Sequence, residues 1–420
     1  MKIDIDRLGA TEILDSRSRP TLLVSLDLSD GARVFAGVPS GASTGRREAL
    51  ERRDGDIERF GGMGVQRAVM SVEGEIADRI AGRSWSSLGE LDGALIELDG
   101  TQDKGRLGAN ALVGVSMAAA RAFAAAGGVQ LHEFLRPDGV APRLPVPHFN
   151  VVNGGAHAQN GLPFQEFMLA PLGAPNLREA VRAGAEIYAA LRARLHAAGM
   201  STGLGDEGGF APEIARPEVA LDLIVSSIED AGYEASREGV AIALDPAASG
   251  FLAEDEMYEV SGERLSSAEM IARYGEILTR YPVWSIEDGL GEDDRDGWIS
   301  LTGELGERAQ IMGDDIFVTN PGIIRQAIRD GIGNSSLIKV NQIGTVTETM
   351  EALAVCRAAG YTQMISHRSG ETPDDFIADL AVASGCGQLK SGAPARGERV
   401  AKYNRLIAIE QENDFPYGLA

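Results

Sequence analysis

Cysteine is almost missing from this chain: Cys356 and Cys386 are the only two in 420 residues. Two thiols build neither a disulfide framework nor a cysteine metal cluster, and they suit a reducing cytosol. Lysine is nearly as scarce. Of 39 basic residues only Lys2, Lys104, Lys339, Lys390 and Lys402 are lysines, and the other 34 are arginine. Positive charge is in overall deficit, with a net charge of −23 and no basic stripe, which argues against nucleic acid and anionic membrane partners. Long apolar runs are lacking too. The most membrane-like stretch, Ala109 to Val129, is mostly alanine and glycine with Arg121 inside, which suits a core helix. Met1 to Asp6 has neither the basic nor the apolar region of a signal peptide, so the expected location is cytoplasmic. No Gly-x-Gly-x-x-Gly follows a strand pattern and no phosphate-loop signature occurs, so a nucleotide cofactor is not indicated.

What is present describes a globular chain. Hydrophobic residues make up 44% and charged residues 24%, and the length suggests about two domains. Residues 1–140 read as an α+β unit: strands over 3–13 and 21–28, a Ser29-Asp30-Gly31 turn into a strand over 32–38, then helical periodicity over 65–80 and 110–126. Between them lies Pro39-Ser40-Gly41-Ala42-Ser43-Thr44-Gly45, a small, hydroxyl-rich loop suited to a mobile lid. Pro142 to Pro147 mark a linker into the second unit, 141–420.

From Ile242 onward, short apolar runs alternate with helical segments, and each run ends in a chemically useful side chain: Asp245, Glu287, Asp314, Lys339, His367 and Lys390. From Glu287 the steps are 27, 25, 28 and 23 residues, about one strand-loop-helix unit each. Asn320-Pro321 and Thr372-Pro373 both read as helix starts, a cap followed by proline. Repeated βα units predict a parallel sheet closing into an α/β barrel, with an open doubly wound sheet as the competing topology. In either case strand-end charges meet on one face, and in a barrel they ring one pocket.

Three carboxylates on adjacent strand ends repel unless they share a cation, and hard oxygen donors favour Mg²⁺. A lysine beside such a centre should have its pKa lowered and act as a general base on a carbon acid; arginine cannot, because its guanidinium stays charged. Glu207, held between glycines in Gly205 to Gly209, is a candidate acid for a departing hydroxyl. Asn153 to His157 and Gln165-Glu166 add a loop histidine and another carboxylate. His367-Arg368-Ser369-Gly370 offers donors for a phosphate.

Taken together, Ile13 to Arg17, Ser40 to Gly45, Gly205 to Pro212, Ser285 to Asp288, Gly313 to Asp315, Lys339 to Gly344, Ser366 to Glu371 and Lys390 to Pro394 resemble the enolase family along essentially the whole chain. The resemblance implies an N-terminal α+β domain capping an enolase-type α/β (TIM-like) barrel. It implies reversible dehydration of 2-phosphoglycerate to phosphoenolpyruvate with two Mg²⁺ ions per site, a small anionic phosphorylated substrate, and a homo-oligomer, either a dimer or an octamer of dimers. Carried over by motif, Asp245, Glu287 and Asp314 hold the first Mg²⁺, and Ser43 reaches the second. Lys339 removes the C2 proton. Glu207, supported by Glu166, protonates the leaving hydroxyl. Lys390 binds the substrate carboxylate, Arg368 and Ser369 its phosphate with His367 alongside, and His157 arrives with Ser43 on closing loops. Departures from the family pattern are Ser18-Arg19 after Arg17, Leu23 at the usual dimer contact, Gly289 after Asp288, the more apolar loop Gln159 to Phe164, and Gly397. They leave a second reading: an enolase paralogue of phosphonate metabolism, such as a carboxyphosphonoenolpyruvate synthase, discriminated by whether Gln159 to Phe164 and Gly289 reshape the pocket. A catalytically silent scaffold on the same fold and a one-metal relative acting on acid sugars are further readings. The first should have lost Lys339, Glu207 or a metal carboxylate, and none is lost.

Overall fold

The computed structural model describes residues 2–41 and 45–419; Met1, Ala42 to Thr44 and Ala420, and with them the Ser43 assignment, lie outside the described residues. The chain starts as an antiparallel sheet, β3-β2-β1-β4, made of β1 (Ile3–Leu14), β2 (Pro20–Leu28), β3 (Arg33–Gly37) and β4 (Arg83–Trp85). Alternation sets its faces: Ile3 and Ile5 are buried while Asp4 and Asp6 are exposed, as one-sided sheets require. Gly31 makes the β2–β3 turn at φ 88°, a conformation that glycine adopts without steric cost. Ser18, in place of the glycine usual in the resembled motif, takes φ 60°.

Helix α1 (Leu88–Asp99) and helix α2 (Ala109–Ala126) follow. Helix α2 lies against β2 so closely that a Cβ at Gly114 would meet Val24 Cγ2 at 2.5 Å. Among the described residues it is the one helix long and apolar enough to cross a membrane, and 83% of it is buried inside the fold.

The second part closes into an eight-stranded barrel. Its strands are β5 (Val146–Asn153), β6 (Glu166–Ala170), β7 (Ala241–Asp245), β10 (Val283–Glu287), β11 (Gln310–Gly313), β12 (Ser335–Ile338), β13 (Thr362–Ser366) and β14 (Gln388–Lys390), and a small hairpin, β8 (Tyr258–Val260) with β9 (Glu263–Leu265), stands apart. The order is β10-β11-β12-β13-β14-β5-β6-β7. The barrel is not uniformly parallel. Strand β6 runs antiparallel to both β5 and β7: the segment 154–165 that joins β5 to β6 carries only the short 3-10 turn Gly155–His157, without the α-helix that usually carries a parallel crossover.

Around it, α3 (Pro321–Asp330) starts as the sequence predicts, with Asn320 Oδ1 accepting from the Gly322 and Ile323 amides. Helix α4 (Val346–Ala358), helix α5 (Phe376–Ser384) and helix α6 (Gly397–Glu412) complete the C-terminal third. The Thr372-Pro373 pair does not start a helix; α5 begins at Phe376. Asp374 intervenes, accepting from the Phe376 and Gly37 amides while Arg121 holds it, so this turn serves the seam with the N-terminal sheet. Inside the barrel Met312, Leu337 and Met364 pack as an apolar layer. Such a filled interior leaves chemistry to the rim at the strands' carboxyl ends.

Candidate active site

Strands β7, β10 and β14 end on Asp245, Glu287 and Lys390, while Asp314, Lys339 and His367 stand one residue past β11, β12 and β13. All six therefore meet at one rim. Glu166 joins them although it opens its strand: because β6 is antiparallel, its first residue pairs with Asp245 and Asn153 at the same end. Glu207 comes from a loop whose Gly208 has φ 87°, and the Glu207 carbonyl accepts from the Ala393 amide at 2.9 Å. One cavity is lined by His157, Glu166, Glu207 and Asp245 together with Asp314, Lys339, the 366–369 turn and Lys390. A wider cleft near Arg46 and Lys104 has these cations already paired, with Glu292 and Asp293 and with Glu348.

Charge is concentrated here out of water. Lys390 Nζ lies 2.8 Å from Glu287 Oε1, 3.1 Å from Asp245 Oδ2 and 3.2 Å from Glu166 Oε1. Burial works against its charge, but these carboxylates hold the ammonium well above its ordinary range. They are not satisfied in return: Glu166 Oε2 and Glu287 Oε2 are buried with no hydrogen-bond partner among the described residues. Burial, with Asp245 beside it, pushes the Glu287 carboxyl well up.

Lys339 Nζ donates to Asp314 Oδ2, and Gln342 Nε2 donates to Asp314 Oδ1 at 2.7 Å. Burial disfavours the ammonium, yet Asp314 raises its pKa. The expected lowering is thus not a property of the protein's own charges: the nearest group is a carboxylate, and Asp314 is itself held low by Lys339 against the cost of burial. A cation taken up by Asp314 would compete with the ion pair that keeps Lys339 protonated.

Across the barrel is a group with a different balance. Burial and the neighbouring Glu207 charge push Glu166 well above the usual carboxylate range. Glu207 goes the other way: against the cost of burial, the facing His367 side chain and the Arg399 charge bring it well below. A carboxyl pair pushed apart in this manner separates a proton carrier from an anion. His157 Nδ1 is 3.5 Å from Glu166 Oε1 and 3.7 Å from Glu207 Oε1, and burial lowers the pKa of this imidazole against the pull of the nearby carboxylates. His157 is already inside, 4% exposed, with Nε2 3.1 Å from Ser369 Oγ; the expected arrival on a closing loop is not needed in this arrangement.

The Arg368 guanidinium donates to Glu48 at 2.9 and 3.2 Å and to Asn341 Oδ1 at 2.9 Å. Glu48 also accepts from Gln342, so a single network runs from the Arg368 turn to Asp314. Sequence reading missed Glu48 and Gln342. Gln342 lies within the Lys339 to Gly344 stretch, but a polar side chain in a turn gives no sign of its partner. It also missed Asp288, which is 6% exposed, accepts from the Asp314 and Asp315 amides, and lies with them as a cluster of oxygen donors within 4.8 Å. His132 and His148 are buried and His196 exposed, none of them at the site.

The departures do not reach the cavity. Leu162 and Phe164 point into the core, Phe164 stacking near Phe167 and Phe251, and Asn160 ties its loop to the Asn153 and Pro212 carbonyls. Gly289 packs beneath Tyr274, whose hydroxyl donates to its carbonyl. The apolar character of residues 159–164 is thus a core requirement.

Two family descriptions match the chain, "Enolase, N-terminal domain" over residues 5–135 and "Enolase, C-terminal TIM barrel domain" over residues 141–415. The chain is 52% identical over 407 residues to the enolase of Mycobacteroides abscessus, covering 97% of this chain and 94% of that protein. It is 55% identical over 410 residues to the enolase of Rubrobacter xylanophilus, covering 97% and 95%.

Proposed function

The chain belongs to the enolase family and is a hydro-lyase of the phosphopyruvate hydratase type, and we infer that its rim residues carry out the dehydration of 2-phosphoglycerate to phosphoenolpyruvate, a step of glycolysis. The observation that carries this reading is an opposition. Lys339 follows β12 and Glu166 opens β6, four places apart in an eight-strand ring, so a base and an acid pair face one cavity from opposite sides.

The family uses Mg²⁺, and the donors fit it: Asp245, Glu287 and Asp314 offer only oxygen, and Glu287 Oε2 is a buried acceptor with no hydrogen-bond partner among the described residues. These three would hold the first ion. A second ion rests on the resemblance through Ser43. When bound, Mg²⁺ supplies positive charge that stabilises the dianion formed on proton loss. The chain's own residues do the rest. Lys390 and the Arg368–Ser369 turn bind the anionic ends of the substrate, and Lys339, deprotonated once Asp314 is engaged elsewhere, takes the C2 proton. The Glu166–Glu207 pair supplies a proton to the departing hydroxyl, with Glu166 the more readily protonated member. Burial of the whole set excludes water and strengthens each of these interactions.

The phosphonate reading loses its support, since Gln159 to Phe164 and Gly289 stay outside the cavity. A cytoplasmic location and a homo-oligomer remain part of this proposal; Leu23, at the usual dimer contact, is half-buried on β2 between Thr11 and Gly37. The test is the enol absorbance with 2-phosphoglycerate and Mg²⁺. A steady rise is expected, and a rate at background sinks the reading.

A further inference from the structure

Arg399 lies on α6 and is fully buried. Its guanidinium ties together segments far apart in sequence. Nη1 is 2.5 Å from His367 Nδ1 and donates to the Arg368 carbonyl at 2.6 Å, while Nη2 donates to the Ser369 carbonyl at 2.5 Å and the Asp206 carbonyl at 3.2 Å. One cation therefore bridges the substrate-side turn and the loop that carries Glu207.

A guanidinium has donors only and does not give up its proton. His367 Nδ1 must then accept, and a neutral imidazole that accepts at Nδ1 carries its hydrogen on Nε2. That Nε2 is buried, has no formed hydrogen bond among the described residues, and lies 3.2 Å from Glu207 Oε2. The same oxygen accepts from Asn150 Nδ2 at 3.0 Å. Oε1 is turned the other way, towards His157. We propose that Arg399 is a positioning residue that fixes the Nε2–H tautomer of His367, so that Glu207 Oε2, which already accepts from Asn150, faces a second N–H and Oε1 is left as the oxygen that handles the reacting proton. Burial is the main cause holding His367 down to about 3, with the Arg399 charge adding and Glu207 opposing, so the neutral ring is the species to which the tautomer argument applies. The opposite tautomer would set a bare Nε2 lone pair against a carboxylate oxygen, with no hydrogen for either.

This deepens the proposed dehydration and rests on it for the kinetic part alone. The tautomer is read without substrate, by long-range proton–nitrogen NMR on the full chain labelled in its five histidines, with the His367 signal identified by its loss in His367→Gln. The expected result is a bare Nδ1 and a protonated Nε2 at pH 7. In Arg399→Met, which removes the donor facing Nδ1, the other tautomer or the imidazolium should appear and kcat should fall on the order of tenfold or more, beyond any change in KM from the loosened 368–369 turn. A wild-type Nδ1–H overturns the proposal. So does a folded Arg399→Met enzyme with the tautomer unchanged, or with a changed tautomer and kcat within about twofold of wild type. Should Arg399→Met not fold, the decision passes to His367→Gln, whose amide nitrogen stands near the place of Nε2, against His367→Asn, which mimics Nδ1. The Gln variant should turn over about tenfold faster, and equal or reversed rates overturn the assignment. A wild-type enzyme inactive on 2-phosphoglycerate would sink the function while leaving the tautomer result standing.

Discussion

At the seam between α2 and the turn ahead of α5, Arg121 holds both oxygens of Asp374 at 2.8 Å, and the Gly37 and Phe376 amides complete that carboxylate. At the barrel rim Lys390 faces three carboxylates at once, and two of their oxygens have no hydrogen-bond partner among the described residues. Both regions bury charge. The seam balances it with donors and so holds Asp374 below its ordinary range despite burial; the rim leaves an excess of negative charge that pushes Glu166 and Glu287 up. Buried pairs with every donor matched serve the fold, whereas an unmatched set is costly until a ligand completes it. The difference separates structural from functional charge better than burial does.

The largest effect that would test this contrast is at the rim. Lys339→Arg keeps a cation beside Asp314, so the melting temperature should stay near wild type, while turnover should fall by about 10³-fold or more because the guanidinium cannot accept the C2 proton. Residual activity near wild type would move the base elsewhere. Next comes cation removal. Chelation should reduce turnover to background and Mg²⁺ should restore it. Saturating Mg²⁺ should also stabilise the fold by about 3 kcal/mol at a hundredfold excess over Kd, an increment that Glu287→Gln should lose. If that variant gains the same increment, the three carboxylates are not the cation's ligands.

A seam variant should behave in the opposite way. Arg121→Ala leaves the half-buried Asp374 without its cation, and about 1–3 kcal/mol of stability should be lost, with kcat of the folded fraction unchanged. Equal losses of kcat and stability would erase the distinction between the two regions.

The smallest effect concerns Asp92 on α1, fully buried and accepting from the Thr347 amide and hydroxyl at the start of α4. Burial raises its carboxyl to about 6 from 3.8. The sign follows from linkage: a raised folded-state value favours folding below pH 3.8 and that contribution is lost as pH passes 6. Asp92→Asn should therefore flatten the pH dependence, with its stability relative to wild type improving by about 2–3 kcal/mol between pH 4 and pH 8. Parallel melting curves at the two pH values would count against it.

Much of the rim was legible because each of its charges ends an apolar run, a signal carried by a few adjacent residues. Scarcity of lysine was a weaker clue than it looked. Lys339 and Lys390 are at the site, but Lys104 pairs with Glu348 and Lys402 with Glu371, the Thr372 carbonyl and the Glu398 carbonyl, so a rare lysine marks a buried ion pair as often as chemistry. Glu166 was reached through its motif, since an antiparallel strand in the barrel was not foreseen. Glu48 and Arg399 were invisible: the partners they hold lie 320 and 32 residues away.

By itself the sequence determined the local facts: which runs are strands, which side chains end them, where Asn320 starts a helix, and that acid outweighs base. Those depend on neighbours along the chain, through alternation, capping and propensity. Only the tertiary structure decided that β6 reverses, that Lys390 sits among three carboxylates, that Asp314 holds Lys339 protonated, and which nitrogen of His367 carries the hydrogen. The reason is electrostatic. In a buried site the state of each group is set by desolvation and by charges a few ångströms away in space, and chain closure alone brings those charges together.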